Sequence, residues 1–564
     1  MASVRVDELR STILSSYYDL GSYGRRISTS SPEAQVWFDR GLNWTYGFNH
    51  GEAVKCFERA IDCDPDCAMA YWGIAYAVGP NYNKTWEMFD PIDLAQTVTK
   101  AHGAAHLAMS LLDKANPEER ALIAALQARY PSPAPIEDCS IWNDGYANAM
   151  REVYRDFGHD LDVAALFAEA LMNRTPWQLW DLNKGEPSEG ADTAEAMRVL
   201  ERAFEDPASR THPGILHMYI HLMEMSPFPE RALRAADWLR GLVPDAGHLE
   251  HMPTHIDVLC GQYATVVASN SDAIVADNKF LAREGAMNFY TLYRVHNFHF
   301  KLYGAMFLGQ SEVALRTADE VIATIPKALV EQQVPRMADW IEGFLGVKMH
   351  VLIRFGRWQE IIDTPLPEDQ ELYCVTTAMI HYAKGVAFSA TGRILEAEQQ
   401  QRLFEEAFAR VPESRYLFNN RCIDILGIAR EMLAGELEYR KGNFDDAFAH
   451  LRRSIELDDG LIYDEPWGWM QPTRHAYGAL LLEQGRIEEA EAVYRADLGL
   501  DDSLARAFQH PDNVWSLHGY HECLMRLGKH HFCGIIKQRL DIAAARADVP
   551  IESSCFCRME TAAD

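Results

Sequence analysis

The feature that most constrains this chain is a helical hairpin pattern that keeps returning. Residues 34–65 carry Trp37, Gly41 and Trp44 on one helix, Ala53, Phe57 and Ala60 on the next, and then Pro65. Small residues at two fixed places let paired helices touch, and aromatic residues fill the space beside the contact. A looser mark follows along the chain: a turn glycine with a helix residue five positions on. It occurs as Gly261/Val266, Gly309/Ala314, Gly356/Ile361, Gly392/Ala397, Gly442/Ala447 and Gly485/Ala490, at glycine spacings of 48, 47, 36, 50 and 43 residues. Gly385, Gly435 and Gly478 stand seven residues before three of these turns. Gly519 and Gly528 fit that rule poorly and predict a degenerate last unit. Helical periodicity is nearly continuous, whereas strand-like alternation is almost absent.

This is the tetratricopeptide (TPR) pattern in stretched form, and it predicts an all-α, TPR-like α-solenoid of stacked hairpins. Its long loops are compatible with closure around a concave groove. Breaks at 131–135, 183–190, 365–369 and 463–469 read as loops between repeats. The expected organisation is an N-terminal extension (1–30), N-terminal repeats (31–182), central repeats (183–345) and C-terminal repeats (346–564). Hydrophobic residues make up 48% of the 564, which excludes wholesale disorder. Acidic residues outnumber basic ones 82 to 53, for a formal charge of −29. That field repels phosphate backbones and anionic lipid, so neither nucleic acid nor membrane is an expected partner. With no apolar run of about 20 residues, no signal-peptide plan and 11 scattered cysteines, the expectation is a cytoplasmic protein with reduced thiols.

Eight of the 21 histidines fall between 212 and 299, where uniform scatter places about three. His217/His221 and His251/His255 are four apart, and His296/His299 three apart, so each pair shares one helix face. With each turn glycine as position 15 of its repeat, His248, His251 and His255 occupy positions 2, 5 and 9. His296, His299 and Tyr303 occupy the same three, and His217 and His221 lie one 34-residue period before His251 and His255. The stripe differs from the one that packs on the partner helix and lines the concave side of TPR stacks. Seven imidazoles (His217, His221, His248, His251, His255, His296 and His299) are therefore predicted metal ligands. Glu224, Tyr303 and Glu169 are the candidate catalytic groups, as acid/base, further ligand or supporting carboxylate. Pro253 favours a helix start, so two readings of His251 stay open: a ligand sharing one helix face with His255, or a residue that precedes that helix and points elsewhere. His102/His106 has the same spacing without company and reads as an ordinary surface pair.

Several strings here resemble a family of long TPR-repeat proteins of bacteria and fungi: WTYGFNHGEAVKCFERA (44–60), CAMAYWGIAYAVGPNYN (67–83), FAEALMNRTPWQLWD (167–181), HPGILHMYIHLME (212–224), GHLEHMPTHI (247–256), HNFHF (296–300) and GALLLEQGRIEEAEAVYRADL (478–498). The likeness is more distant to the family of tetratricopeptide repeat protein 38. It implies the fold and carries no general activity.

Imidazole-rich ligation suits copper, iron, zinc or nickel, because magnesium and calcium sites want carboxylates. More ligands than one closed site needs point to an open coordination position or two metals. The leading expectation is a metal-dependent enzyme, with copper or iron oxidising a small organic, aromatic-leaning substrate. A zinc-dependent hydrolase or lyase is the near alternative, and a non-catalytic TPR adaptor binding a protein partner is the second class. The GPNYN (79–83) and YDEPWGWMQPTRH (463–475) segments either reach the site or are self-packed loops. Phosphate-binding, dinucleotide and nucleophile-elbow motifs are absent.

Overall fold

Glycine geometry establishes the hairpins. In the computed structural model, which describes residues 17–558, every turn glycine named above is left-handed: Gly261, Gly309, Gly356, Gly392, Gly442 and Gly485 have φ between +61° and +84°. Only glycine enters that region without a steric cost from Cβ. Gly528 is left-handed too, at +66°, and it joins helix Val514–Arg526 to helix His530–Ala544. The last unit is therefore a regular hairpin and not the degenerate one that spacing suggested; its turn simply arrives two residues late.

The other small residues are close-packing contacts. A Cβ on Gly41 would lie 2.5 Å from the Phe57 ring, one on Gly435 2.7 Å from Leu451, and one on Gly478 2.5 Å from Tyr494. Each bulky partner sits on the second helix of the same hairpin. The architecture is all-α and TPR-like. Two short antiparallel strand pairs interrupt it, Trp180–Asp181 with Glu186–Pro187 and Tyr416–Leu417 with Asn420–Arg421. No helix among the described residues is long and apolar enough to cross a membrane.

The chain forms two compact units. Of the described residues, unit 1 comprises 17–181, 185–256 and 271–285, and unit 2 comprises 182–184, 257–270 and 286–558. Loops set the sequence-based boundaries at 182 and 345, whereas these units follow contact density. Unit 1 pairs helix Pro32–Tyr46 with His50–Cys63, Ala68–Val78 with Pro91–Ser110, and Trp142–Phe157 with Leu161–Met172. Helices Thr193–Ala203 and Pro213–Glu224 then pack on Leu161–Met172. Among the described residues, unit 2 has six hairpins, from Thr291–Phe307 with Ser311–Ala323 to Val514–Arg526 with His530–Ala544.

The C-terminal segment is pinned within unit 2. Arg354 donates to the Ser554 carbonyl, Tyr494 and Ser554 hydroxyls meet at 2.5 Å, and Arg558 grips Glu522 at 2.7 and 3.0 Å. Cys555 and Cys557 are joined in a disulfide, which corrects the expectation that every thiol is reduced. Cys56, Cys63, Cys67, Cys139, Cys374, Cys422, Cys523 and Cys533 carry free thiols.

Candidate metal centre in unit 1

Helix Pro213–Glu224 carries the first two candidate ligands, His217 and His221. Pro213 takes the first turn, and the His212 ring caps it by accepting from the Ile215 N–H through Nδ1. That leaves the proton of His212 on Nε2, facing Tyr23 at 2.8 Å and Asp162 at 3.2 Å. This eighth histidine of the cluster is a cap. Gly214 lets the helix approach Tyr46 closely, since a Cβ there would lie 2.5 Å from its ring. The approach brings His217 Nδ1 to 2.6 Å from the Tyr46 carbonyl oxygen.

A carbonyl oxygen only accepts, so His217 carries its proton on Nδ1 and turns a bare Nε2 inward. That Nε2 stands 3.2 Å from Nε2 of His248, on the short helix Gly247–His251. Two nitrogens bound at 2.0–2.1 Å to one tetrahedral ion stand about 3.3 Å apart. His221, one turn after His217, has an Nε2 with no hydrogen-bond partner. Donor atoms of His217, His221 and His248 all lie within 4.8 Å of one another.

Glu224 has a different job from the one its residue type suggested. Its two carboxylate oxygens accept from Nδ1 of His221 at 3.0 Å and from Nδ1 of His255 at 2.6 Å. The contacts fix both rings in the tautomer that presents Nε2, as carboxylates behind metal-binding imidazoles do. A distance of 2.6 Å is too short for two atoms ligating one ion with right-angle or tetrahedral geometry, so Glu224 and His255 are held together by a proton. His255 Nε2 meets His251 Nε2 at 2.7 Å, an imidazole–imidazole hydrogen bond. Pro253 does open a new helix, Pro253–Leu259, but His251 ends the preceding one and its ring turns toward His255. Of the two readings of His251, the ring follows the one that faces His255.

All six side chains are buried, from 0 to 2% exposed. Burial pushes His217 down to about 3, against the opposition of its hydrogen bond to Tyr46. Burial, with His217 and His251 nearby, holds His221 well below its usual range. Neutral imidazoles are the form that binds metal.

Three aromatic rings wall the cluster. Phe48 lies 4.5 Å from the His217 ring and stacks on His248 at 5.5 Å and on His221 at 6.0 Å. Tyr82, from the GPNYN segment, is 4.9 Å from His221, and Trp177 is 5.7 Å from it. Phe48 and Trp177 are left-handed non-glycine residues, at φ +54° and +59°. Phe48 occupies the place of the turn glycine, five residues before Ala53. Its backbone cost of about 1–2 kcal/mol sets a ring over three imidazoles, and such outliers gather at functional sites.

Glu169, on helix Leu161–Met172 of unit 1, accepts from the Tyr76 hydroxyl at 2.5 Å, and its pKa is raised by burial against the opposing Arg129 charge. His296, His299 and Tyr303 lie on helix Thr291–Phe307 of unit 2. Tyr303 is 3% exposed and packs on Phe307. Burial takes His299 to about 3, with His350 adding to the fall. The rings of His102 and His106 lie 4.0 Å apart, tilted by 31°. Sequence reasoning missed Tyr46, Phe48, Trp177 and His350. Phe48 was findable, because the repeat register demands glycine where it stands.

No protein-family profile matches this chain, and no curated protein matches it. Among solved structures it is similar to yeast Tom70, at 11% identity over 91% of this chain and 97% of that one, with a TM-score of 0.29. It is similar to the APC/C hetero-tetramer Cut9-Hcn1 at 12% identity over 91% and 87%, with a TM-score of 0.28. The TPR domain of P58(IPK) aligns at 14% identity over 80% and 99%, with a TM-score of 0.19. Overlap this low carries no argument, and the fold rests on the hairpins themselves.

Proposed function

We propose that unit 1 is a transition-metal centre built into a TPR-like scaffold, with His217, His221 and His248 as ligands. The observation that supports it is the proton arrangement: two rings give their Nδ1 protons to acceptors behind them, and the Nε2 atoms converge. Three imidazoles leave a fourth coordination position, the plan of a reactive ion and not of a closed structural one. His255 and His251 form a hydrogen-bonded relay behind Glu224. Oxidative chemistry follows if the ion is copper or iron, and hydrolytic or lyase chemistry if it is zinc. Because the ligands are buried, a reactant at this centre is a small molecule.

The test is elemental analysis of untagged protein beside a His217→Ala/His221→Ala variant. Near-stoichiometric copper, iron or zinc that the variant loses supports the centre and selects the assay. No metal after purification and none taken up on reconstitution overturns it.

A second reading, a non-catalytic scaffold for a protein partner, is favoured by a specific surface. Helix His530–Ala544 exposes Phe532, Ile535 and Ile542, each more than half accessible, at spacings that set them along one face. The outer helices of repeat stacks ordinarily show water a polar face. Loss of partner binding in Phe532→Ser, with metal content unchanged, supports this reading.

A further inference from the structure

We propose that unit 2 holds a second site, a soft-metal pocket for a monovalent copper ion. It shares no residue with the unit 1 centre and does not depend on it. The donors are His299, on helix Thr291–Phe307; His350, on Val347–Arg354; Met379, on Cys374–Ala390; Cys422, at the start of Cys422–Arg440; and Met470. All five line one internal cavity with room for a single water-sized body.

Three observations carry the assignment. First, His299 and His350 are 2% and 6% exposed, and Nδ1 of each lacks a hydrogen-bond partner. A buried polar atom left bare is costly, and a bound ion is one remedy. Second, the aromatic device of unit 1 recurs. Tyr46-Gly47-Phe48-Asn49 is matched by Tyr416-Leu417-Phe418-Asn419, and Phe418 is again left-handed, at φ +50°. Its ring sits 4.6 Å from His296 and 6.1 Å from His299. In both units a strained aromatic residue is laid against imidazoles.

Third, the donor chemistry is soft. Two imidazoles, one thiol and two thioethers line the cavity, and no carboxylate does. Glu342 is spoken for by Thr376 and the Val375 N–H. Thiolate and thioether donors select monovalent copper over harder ions. His299, His350 and Cys422 are not among the sets of three donors lying within 4.8 Å of one another, so a ready-made tetrahedral zinc cage is not there. Monovalent copper takes as few as two donors, so an imidazole or the Cys422 thiol together with a Met379 or Met470 thioether suffices. On binding, the Cu–S bond to Cys422 replaces its S–H bond, and the proton leaves to solvent.

The experiment uses the full chain with His217→Ala/His221→Ala/His248→Ala, which silences unit 1. Cuprous ion is titrated anaerobically against bicinchoninate, and the bound form is read by X-ray absorption. One equivalent held against the competitor, with sulfur scatterers, is expected. His350→Ala and Cys422→Ser should each weaken it about tenfold or more while helical content and melting temperature hold. Copper lost to the competitor, a first shell without sulfur, or equal retention in both variants overturns the proposal. If the background chain does not fold, Cys422→Ser is made in the native chain. There the sulfur contribution of the copper-loaded protein must fall, leaving at most the thioethers of Met379 and Met470; an unchanged sulfur contribution is equally fatal.

Discussion

Glu224 and Phe48 show how single residues are bent to a site. Glu224 accepts from two imidazoles at once, so its value lies in having two acceptor oxygens and no proton. Glutamine keeps the shape but offers one acceptor, so one of His221 and His255 must lose its tautomer. Glu224→Gln should therefore lower metal affinity about 10–100-fold while His217 still binds Tyr46, as measured by chelator competition. At Phe48 the backbone wants glycine and the ring is wanted by the histidines. Removing the ring costs stability in either variant, but Phe48→Gly also releases the left-handed strain that Phe48→Ala keeps. In urea unfolding, the glycine variant should be the more stable by about 1 kcal/mol. The reverse order would mean that the turn is not strained.

At the scale of helices, two glycines of one hairpin separate two physical causes. Gly478 lies inside Thr473–Glu483, where a Cβ would sit 2.5 Å from the Tyr494 ring, and the same ring also bars a Cβ on Gly519. Gly485 lies in the turn at φ +71° with nothing within 4 Å of its Cβ position. Gly478→Ala should cost about 1–3 kcal/mol by overpacking, and Tyr494→Leu should recover part of it, a non-additive pair. Gly485→Ala should cost about 1–2 kcal/mol through the backbone alone, and no neighbouring substitution should restore it. Denaturant melts of the two singles and the double variant check all three outcomes.

For the whole molecule, buried neutral histidines make stability depend on acidity. Burial lowers His50 and His217 in unit 1, and His299 and His350 in unit 2, from 6.5 to about 3. Between those values the unfolded chain binds more protons than the folded one. Their contribution is thus complete above pH 6.5 and is lost as pH falls toward 3, by up to about 1.4 kcal/mol per pH unit for each ring. Circular dichroism should show acid unfolding in that window, moved to lower pH by bound metal; a pH-independent melt from 7 to 4 contradicts it. How much of this was legible beforehand differs by level. Hairpins, turns and the all-α class could be read directly, because the repeat is a local pattern: a small residue seven before a left-handed turn glycine and sixteen before the large residue it packs on are relations within one hairpin. The histidine stripe was legible for the same reason, since spacings of three and four define a helix face. Which stripe residues become ligands was not, because that depends on where protons go. The Tyr46 carbonyl lies 171 residues from His217 and Glu224 lies 31 from His255, and only the packed fold brings these acceptors behind the rings. By itself, then, the sequence determined the repeat and the concentration of imidazoles. The tertiary structure alone decided that Glu224 accepts from two imidazoles, that His212 caps a helix, and that His299 joins His350 and Cys422 around one cavity, because distant acceptors and donors meet only when helices pack.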